Sequence, residues 1–283
     1  MIYACPFNYI GGKSKLLPTL LPMLSGNADS VFVDLFGGGF SVGLNVENRT
    51  LIYNDINVDL TKLIQLIQET PFDVFEANLL KLIHRYELSK INSQGYLNLR
   101  SDFNDSRDSY LFCLLIFYSF NHQIRYNGNH QFNTPFGKNR SSYNTRTQEK
   151  LRIFSDIIHT KQITFSSKTF QEVDIPSNAI VYIDPPYLIT TGSYNDGDRG
   201  VSRWNESSER ALYAFIDSLD KKSIPFVLSN MLKKGDYINS LLSEWKEGYE
   251  WFEVSTRYRN YQREDYQTQE IIVTNMSNEG RND

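Results

Sequence analysis

Two short apolar runs separated by a glycine triplet constrain the fold of this chain most strongly. Residues 30–36 (SVFVDLF) and 51–55 (LIYND) each end in polar residues, which is typical of buried strands. Residues 60–67 follow with leucine and isoleucine at i, i+3, i+4 and i+7, the spacing of an amphipathic helix. The order of strand, glycine-rich turn, helix, strand, acid and helix is the opening of a doubly wound α/β sheet.

Strand-like segments return only in the second half of the chain. They are residues 163–166, 179–183 (AIVYI), 226–229 (FVLS), 251–254 and 270–274. The last two flank a polar connection, which is typical of an antiparallel hairpin. Residues 71–161 begin with helical spacing, include an apolar helix and then become polar and aromatic. We therefore predict one α/β domain made of residues 1–70 and 162–283, with a mostly helical domain at 71–161 inserted into it.

Charge distinguishes the inserted segment from the rest of the chain. The chain has 33 acidic and 29 basic side chains and a net charge of -4, which excludes a uniformly basic protein that coats nucleic acid. The 40% hydrophobic content excludes a disordered or collagen-like chain. Residues 125–152 differ, because six basic residues and one acid are interleaved with aromatic side chains. This pattern favours contact with nucleic acid, and the alternative is an ordinary solvated face.

Several kinds of protein are not expected from this sequence. The longest apolar stretch, residues 110–120, is well short of the roughly 20 residues that cross a bilayer. Pro18 and Pro22 interrupt the first leucines, and no basic segment or cleavage site marks a secretion signal. With only two cysteines, Cys5 and Cys113, and four histidines, we expect no disulfide framework and no metal site. A cytoplasmic protein without membrane contact fits best.

The segment DLFGGGF at residues 34–40 indicates a ligand-binding turn after the first strand. Consecutive glycines let the backbone turn tightly and approach a ligand. Asp55, about 20 residues further on, is placed to bind two ribose hydroxyls. Together they predict an adenosine-containing ligand, with a purely structural turn as the alternative. A dinucleotide fingerprint would meet Val42 at its third glycine, and a phosphate-binding loop ending at Lys13 would need glycine where Phe7 stands, so neither is favoured.

Asp184, Pro185, Pro186 and Tyr187 directly follow the strand AIVYI, and open α/β sheets bind ligands at this end of their strands. The amino group of adenine is a poor nucleophile, because its lone pair is delocalised into the ring. The Asp184 carboxylate and the Pro185 carbonyl can accept both amino protons and so direct the lone pair at a sulfonium methyl group. The two prolines stiffen the turn, and the Tyr187 ring offers a face for a planar base. The alternative is a Pro-Pro turn without a catalytic role.

Six motifs, in order along the chain, resemble those of the Dam-type DNA adenine N6-methyltransferases. They are FNYIGGKSKLLP at residues 7–18, FVDLFGGGFSVG at 32–43, YNDIN at 53–57, NHQIRYNGNHQFNTPFG at 121–137, YIDPPY at 182–187 and FVLSN at 226–230. The resemblance implies an α/β fold: a Rossmann-like S-adenosylmethionine-dependent methyltransferase sheet with a terminal antiparallel hairpin, plus an inserted, mostly helical target-recognition domain with a β-hairpin. It also implies that the partner is double-stranded DNA and that N6 of a flipped-out adenine is methylated. A cognate restriction endonuclease that acts separately is compatible with the resemblance.

The resemblance also assigns roles by position. The catalytic residues are Asp184, Pro185, Pro186 and Tyr187. The residues that bind S-adenosylmethionine are Tyr9, Gly11, Gly12, Lys13, Asp34, Phe36, Gly37, Gly39, Asp55, Phe170 and Asp184. The DNA-binding residues are the intercalating Phe120, the base-contacting Asn121 and Arg125, and Asn127, Asn133, Lys138 and Arg140 from the same segment. Bidentate arginine to guanine is the commonest base-specific contact, which supports the role of Arg125 independently.

The chain departs from the family pattern at three positions. Tyr9 stands where the family often has tryptophan, and Thr169 where many members have an aspartate that meets the cofactor adenine. Asn8 replaces a lysine that helps some members to recognise their site, so the GATC target of the best-known members does not follow from the resemblance. Residues 190–205 (TTGSYNDGDRGVSRWN) form a candidate lid over the flipped base, with a disordered surface loop as the alternative.

Two other functions stay open at this point. An RNA or protein-amide N-methyltransferase is one, since related Pro-Pro-Tyr turns act on other planar nitrogens. A catalytically silent DNA-binding regulator with the same fold is the other. The hairpin in the insert argues against the first, and the intact Asp184 and Tyr187 argue against the second.

Overall fold

A mixed eight-stranded sheet organises the part of the chain that the computed structural model describes, which is residues 2–7, 9, 12–24, 29–189, 204–254 and 268–276. The strands are β1 (Val31–Asp34), β2 (Thr50–Asn54), β3 (Gln162–Ser166), β4 (Ala179–Ile183), β5 (Phe226–Lys234), β6 (Tyr237–Ile238), β7 (Glu250–Val254) and β8 (Thr268–Thr274). They lie in the order β3-β2-β1-β4-β5-β8-β7, and β6 pairs with β5. The strands from β3 to β5 in this order are parallel, whereas β8 and β7 are antiparallel.

Helices flank the sheet on both faces. They are α1 (Leu17–Leu24), α2 (Val58–Glu69), α3 (Phe72–Arg85), α4 (Ser93–Ser106), α5 (Ser109–Tyr118), α6 (Thr145–His159), α7 (Glu206–Lys221) and α8 (Ser240–Trp245). Asparagine or aspartate side chains accept hydrogen bonds from first-turn amides and so define where six of these helices begin. The capping residues are Asn57 for α2, Asn92 for α4, Asp108 for α5, Asn144 for α6, Asn205 for α7 and Asn239 for α8.

The topological switch point of the sheet lies between β1 and β4. The chain passes from β1 to β2 and β3 on one side and then returns to β4 on the other side of β1. Asp34, the last residue of β1, pairs with Tyr53 of β2 and with Tyr182 of β4. The residues that follow β2 and β4 therefore flank the end of β1, which is where open α/β sheets bind ligands.

Each face of the sheet is covered by its own hydrophobic cluster. Helices α1 to α6 contribute to one cluster, and α7 and α8 contribute to the other. Helix α5 packs against α2, α3 and α4, so its residues from Leu111 to Tyr118 are all buried and it has no polar face. The helices between β2 and β3 thus share a core with one face of the sheet. A domain boundary at residues 71–161 stays a prediction.

The predicted α/β class and the antiparallel hairpin of β7 and β8 are confirmed. The helix expected between β1 and β2 is absent from residues 35–49, all of which the structure describes. Turns replace it there, since Phe40 has a φ of 65° and Gly43 weakens a helix. Among the described residues, no helix is both long and apolar enough to cross a membrane.

Candidate active site

Three aspartates lie at the carboxyl ends of adjacent strands. Asp34 ends β1, Asp55 follows β2 and Asp184 follows β4. Neighbouring strands are about 4.8 Å apart, so the strands on either side of β1 are roughly 10 Å apart. Burial, together with the nearby charges of Asp184 and Asp55, raises the pKa of Asp34 to about 8. The three side chains therefore share one electrostatic environment at the switch point.

The glycine loop after β1 passes between two tyrosine rings. A Cβ on Gly37 would lie 2.3 Å from the Tyr53 ring, and a Cβ on Gly38 would lie 2.9 Å from the Tyr9 ring. Gly38 also has a φ of +48°, which side chains rarely tolerate. The Tyr53 hydroxyl donates to the Gly38 carbonyl at 2.8 Å. Close packing and backbone conformation therefore both require glycine here, and the predicted Gly39 follows in the same turn.

The Asp55 carboxylate is held by two backbone amides. Its Oδ2 accepts from the Gly38 amide and its Oδ1 from the Asn57 amide, each at 2.8 Å. Each carboxylate oxygen can accept more than one hydrogen bond, so this side chain is a rigid acceptor beside the glycine loop. Asp34 plays a different part, since its Oδ2 accepts from the Gly43 amide at 3.3 Å and ties β1 to the turn. Direct contact of Asp34 with a cofactor stays a prediction.

A buried cluster of four polar side chains surrounds the end of β4. The Lys13 Nζ lies 2.7 Å from Asp184 Oδ2 and 3.7 Å from Glu270 Oε1. The Tyr187 hydroxyl lies 2.6 Å from Glu270 Oε1 and 3.2 Å from Asp184 Oδ1. The Asp184 side chain is 18% exposed, against 4% for Lys13 and 0% for Glu270. Asp184 is therefore the member of this group that a substrate can reach.

Burial shifts the pKa of two members of this cluster, Asp184 and Tyr187. It raises the pKa of Asp184, although the Lys13 ammonium opposes the rise. It also raises the pKa of Tyr187 well above its ordinary value, with the charges of Asp184 and Glu270 adding to the effect. Tyr187 therefore stays protonated and acts as a hydrogen-bond donor. Asp184 is more basic than an exposed aspartate, which suits an acceptor of protons from an amino group.

Three aromatic rings form one wall beside the glycine loop. Phe36 packs on Phe170 with ring centroids 5.8 Å apart and on Trp204 at 5.9 Å. The Trp204 indole donates to the buried Glu209 carboxylate, which also accepts from Asn230 at 2.9 Å. The two aromatic residues predicted to bind the cofactor are thus in contact, and Trp204 joins them. Thr169, next to Phe170, instead caps a local turn by donating to Glu172 at 2.8 Å.

The predicted DNA-binding residues lie on a hairpin-like loop after α5. Antiparallel bridges join Ser119 to Phe136 and Tyr126 to Phe132. Phe120 lies at the base of this loop, and its side chain is 42% exposed. The Arg140 guanidinium lies 5.1 Å from the Phe120 ring and donates to Asn121 at 3.1 Å.

At the far end of the loop, Arg125 donates to Asn133 at 3.3 Å and is exposed. Asn127 braces the tip, because its side chain accepts from the amides of Asn129 and Gln131. Lys138 is exposed. The structure therefore brings Phe120, Asn121 and Arg140 together, and places Arg125 and Asn133 apart from them along the loop.

Asp59 connects this loop to the edge of the sheet. Its Oδ2 accepts from the Tyr126 hydroxyl at 2.8 Å and from Arg107 at 3.2 Å, and Arg107 also donates to the His130 carbonyl. Asp59 is in the first turn of α2, four residues after Asp55. The loop and the acid beside the glycine turn are therefore fixed to the same short segment.

Some predicted positions cannot be placed. Gly11, Asn8 and residues 190–203 of the candidate lid lie outside the described residues. Tyr9, Gly12 and Lys13 are described, and the Gly12 amide donates to the Tyr9 carbonyl at 3.2 Å. In the described ranges, no group of three or more His, Cys, Asp and Glu side chains could hold a metal ion.

Three residues of the site were missed by sequence reasoning. Glu270 had a usable signal, because it is an acid directly before the apolar run IIV of the strand TQEIIVT. Asp59 had none, and Trp204 was expected only as part of the candidate lid at residues 190–205, since their roles here depend on partners that only the fold brings near.

The comparisons with known proteins agree with this geometry. The family described as D12 class N6 adenine-specific DNA methyltransferase matches residues 9–260. The Type II methyltransferase M.FokI of Planomicrobium okeanokoites is 38% identical over 96% of this chain and 43% of its own length. The modification methylase StsI of Streptococcus sanguinis is 37% identical over 95% of this chain and 42% of its own length. The DNA adenine methylase of Serratia marcescens is 26% identical over 78% of this chain and 81% of its own length.

The mostly parallel sheet, with two antiparallel strands at one edge, places the chain in the class of S-adenosylmethionine-dependent methyltransferase folds. The chain belongs to the D12 class N6 adenine-specific DNA methyltransferase family. It spans less than half the length of M.FokI and StsI.

Proposed function

We propose that this chain transfers a methyl group from S-adenosylmethionine to the N6 amino group of an adenine flipped out of duplex DNA. The observation that carries the proposal is the Asp184 carboxylate at the end of β4. It is the accessible member of a buried polar cluster, and the Pro185 carbonyl and the Tyr187 ring belong to the same turn. This combination suits a planar base with an exocyclic amino group.

The residues of the turn act on the amino group. Asp184 and the Pro185 carbonyl accept hydrogen bonds from its two N–H groups, which localises the nitrogen lone pair. The lone pair forms the new N–C bond while the methyl–sulfur bond breaks and its electrons remain on sulfur. The methylated nitrogen then loses one proton, and Asp184, with its raised pKa, can accept it. No base is required before the attack, because the nitrogen becomes acidic only after alkylation.

S-adenosylmethionine fits the donor and acceptor set beside β1. Asp55 presents a fixed carboxylate for a ribose diol beside the glycine loop. Phe36 and Phe170, with Trp204, provide apolar faces for an adenine ring. When bound, the sulfonium supplies an electrophilic methyl group. Tyr9, Gly12 and Lys13 lie around the same loop in this proposal.

The loop from Phe120 to Arg140 is the proposed contact with DNA. It carries exposed arginine and lysine side chains for phosphates and base edges, and Phe120 is an exposed ring that can stack on a base. We assign residues 71–161 to target recognition on this basis. We propose that such an enzyme acts on DNA in the bacterial cytoplasm, with a restriction endonuclease that acts separately as its functional partner.

The test uses the full chain with S-adenosylmethionine labelled in its methyl group. Duplex DNA, RNA and protein are offered separately, and digested nucleosides are separated to identify the labelled base. We expect label in N6-methyladenine from DNA, and methylation-aware sequencing of the product then gives the target sequence. Label in RNA or protein alone would select the first alternative function. DNA binding without label would select the silent regulator.

A further inference from the structure

Glu270 is a buried acid within the cluster around Asp184. It lies on β8, which pairs with β5, and its neighbours Ile271, Ile272 and Val273 are fully buried core residues. Its own side chain is 0% exposed. A buried carboxylate is costly unless it has partners. Its partners here are Tyr187 and Lys13, and both of these also contact Asp184.

The Tyr187 hydroxyl has one proton to share between two carboxylates. Its oxygen lies 2.6 Å from Glu270 Oε1 and 3.2 Å from Asp184 Oδ1. The shorter distance places the proton on the bond to Glu270. Asp184 Oδ1 therefore keeps its acceptor capacity while the Tyr187 ring is held in a fixed orientation.

The Lys13 ammonium is likewise shared. It lies 2.7 Å from Asp184 Oδ2, 3.7 Å from Glu270 Oε1 and 5.0 Å from the centre of the Tyr187 ring. Without Glu270, this buried ammonium would face Asp184 as the single carboxylate of the described cluster. An opposing charge at this distance would make Asp184 a poorer proton acceptor.

We propose that Glu270 is a positioning residue for methyl transfer: it takes the Tyr187 proton and part of the Lys13 charge, and so leaves Asp184 as the acceptor for the substrate amino group. This inference rests on the proposed function. It adds a fourth acid-bearing strand, β8, to a site built from the ends of β1, β2 and β4.

The central test is Glu270→Gln, which keeps the shape and the acceptor oxygen and removes the charge. Glu253→Gln is the matched control, because Glu253 lies on the neighbouring β7, where its carboxylate accepts a hydrogen bond from the Gln269 side chain at the surface. Single-turnover methyl transfer to a cognate DNA duplex is measured at saturating S-adenosylmethionine. We expect a rate about 10- to 100-fold lower for Glu270→Gln, the effect of one charge-assisted hydrogen bond, with the control unchanged.

The pH profile separates positioning from a purely structural role. The groups that face Asp184 are Lys13, Glu270, Tyr187, Tyr182 and Asp34. The negative charge of Glu270 raises the pKa of Asp184, so its removal should lower that pKa. The acid limb of the rate profile should therefore move to lower pH in Glu270→Gln. A structural defect would reduce the rate without moving the limb.

A second pair of variants completes the test. In a Lys13→Met background, Glu270→Gln should lower the rate of methyl transfer much less, because the Lys13 ammonium that Glu270 shares with Asp184 is gone. If Glu270→Gln does not fold, Glu270→Asp keeps the charge and should keep the acid limb in place at a reduced rate; a shifted limb would overturn the inference. Equal rates and equal limbs for Glu270→Gln and Glu253→Gln would also overturn it. An inactive wild-type chain would instead remove the proposed function.

Discussion

The cluster around Asp184 and the loop from Phe120 to Arg140 hold their polar side chains in opposite ways. In the cluster, buried polar and charged groups bind one another at 2.6 to 3.7 Å and are almost closed to solvent. In the loop, Arg125 and Arg140 are exposed and each bonds a neutral asparagine of the same loop. The first arrangement fixes orientation and pKa, and the second leaves charge available to a partner.

This difference fits the recognition that we propose for each region. An amino group to be methylated is the same in every target, so rigid acceptors with a shifted pKa are suitable. Phosphates and base edges lie outside the protein until DNA binds, so exposed and weakly paired cations are suitable. The chain therefore combines a net charge of -4 with a locally basic surface.

The largest effect is expected from breaking the buried cluster at its accessible member. Asp184→Ala removes the proposed acceptor of the amino protons, so we expect single-turnover methyl transfer to fall by about 100-fold or more. Binding of S-adenosylmethionine should change little, because Asp55, Phe36 and Phe170 are untouched. The exposed Asp236→Ala is the control. A fully active Asp184→Ala variant would remove the proposed mechanism.

A smaller effect should appear in the pH dependence of stability. Burial raises the pKa of Asp34 from 3.8 to about 8, so the folded protein binds a proton that the unfolded chain has released. The stabilisation that protonated Asp34 gives the folded state is fully present below the unfolded pKa near 4, and it is lost as the pH rises through 8. An asparagine side chain cannot ionise, so Asp34→Asn should gain stability relative to the wild type between pH 4 and pH 8.

Thermal melts of Asp34→Asn and the wild type at pH 5 and pH 8 provide the measurement. We expect the difference in Tm to change by about 4 °C or more in favour of the variant at the higher pH. The exposed Asp156→Asn should show no such change. Parallel pH curves for Asp34→Asn and the wild type would show that Asp34 is ionised in the folded protein.

The two regions also differ in how far the sequence predicts them. Strand ends were predictable, because short apolar runs end in Asp34, Asp55 and Asp184, and parallel strands bring such ends to one edge. The contact of Glu270 with Tyr187 was not, because the two residues are 83 positions apart and their contact depends on the position of β8. The same holds for Asp59, which is 67 residues from Tyr126.

Local capping also limited what could be predicted in the loop. Asn127 and Arg125 lie in the same sequence motif, and both are predicted to bind DNA. In the structure, Asn127 accepts from two backbone amides and shapes the tip, whereas Arg125 is exposed. A motif match assigns both to DNA, but only the second presents its charged group outward.

The smallest effect should distinguish two cations within the exposed loop. Arg125→Ala should cost about 1 to 3 kcal/mol at one base pair and relax the sequence preference there, because a bidentate contact with a base is lost. Lys138→Ala should weaken all sequences alike and reduce the salt slope by about 1, as a phosphate contact does. Competition methylation on a duplex library at two salt concentrations measures both quantities. Uniform weakening by Arg125→Ala would assign Arg125 to phosphate, and sequence preference would then depend on the Phe120, Asn121 and Arg140 group at the base of the loop.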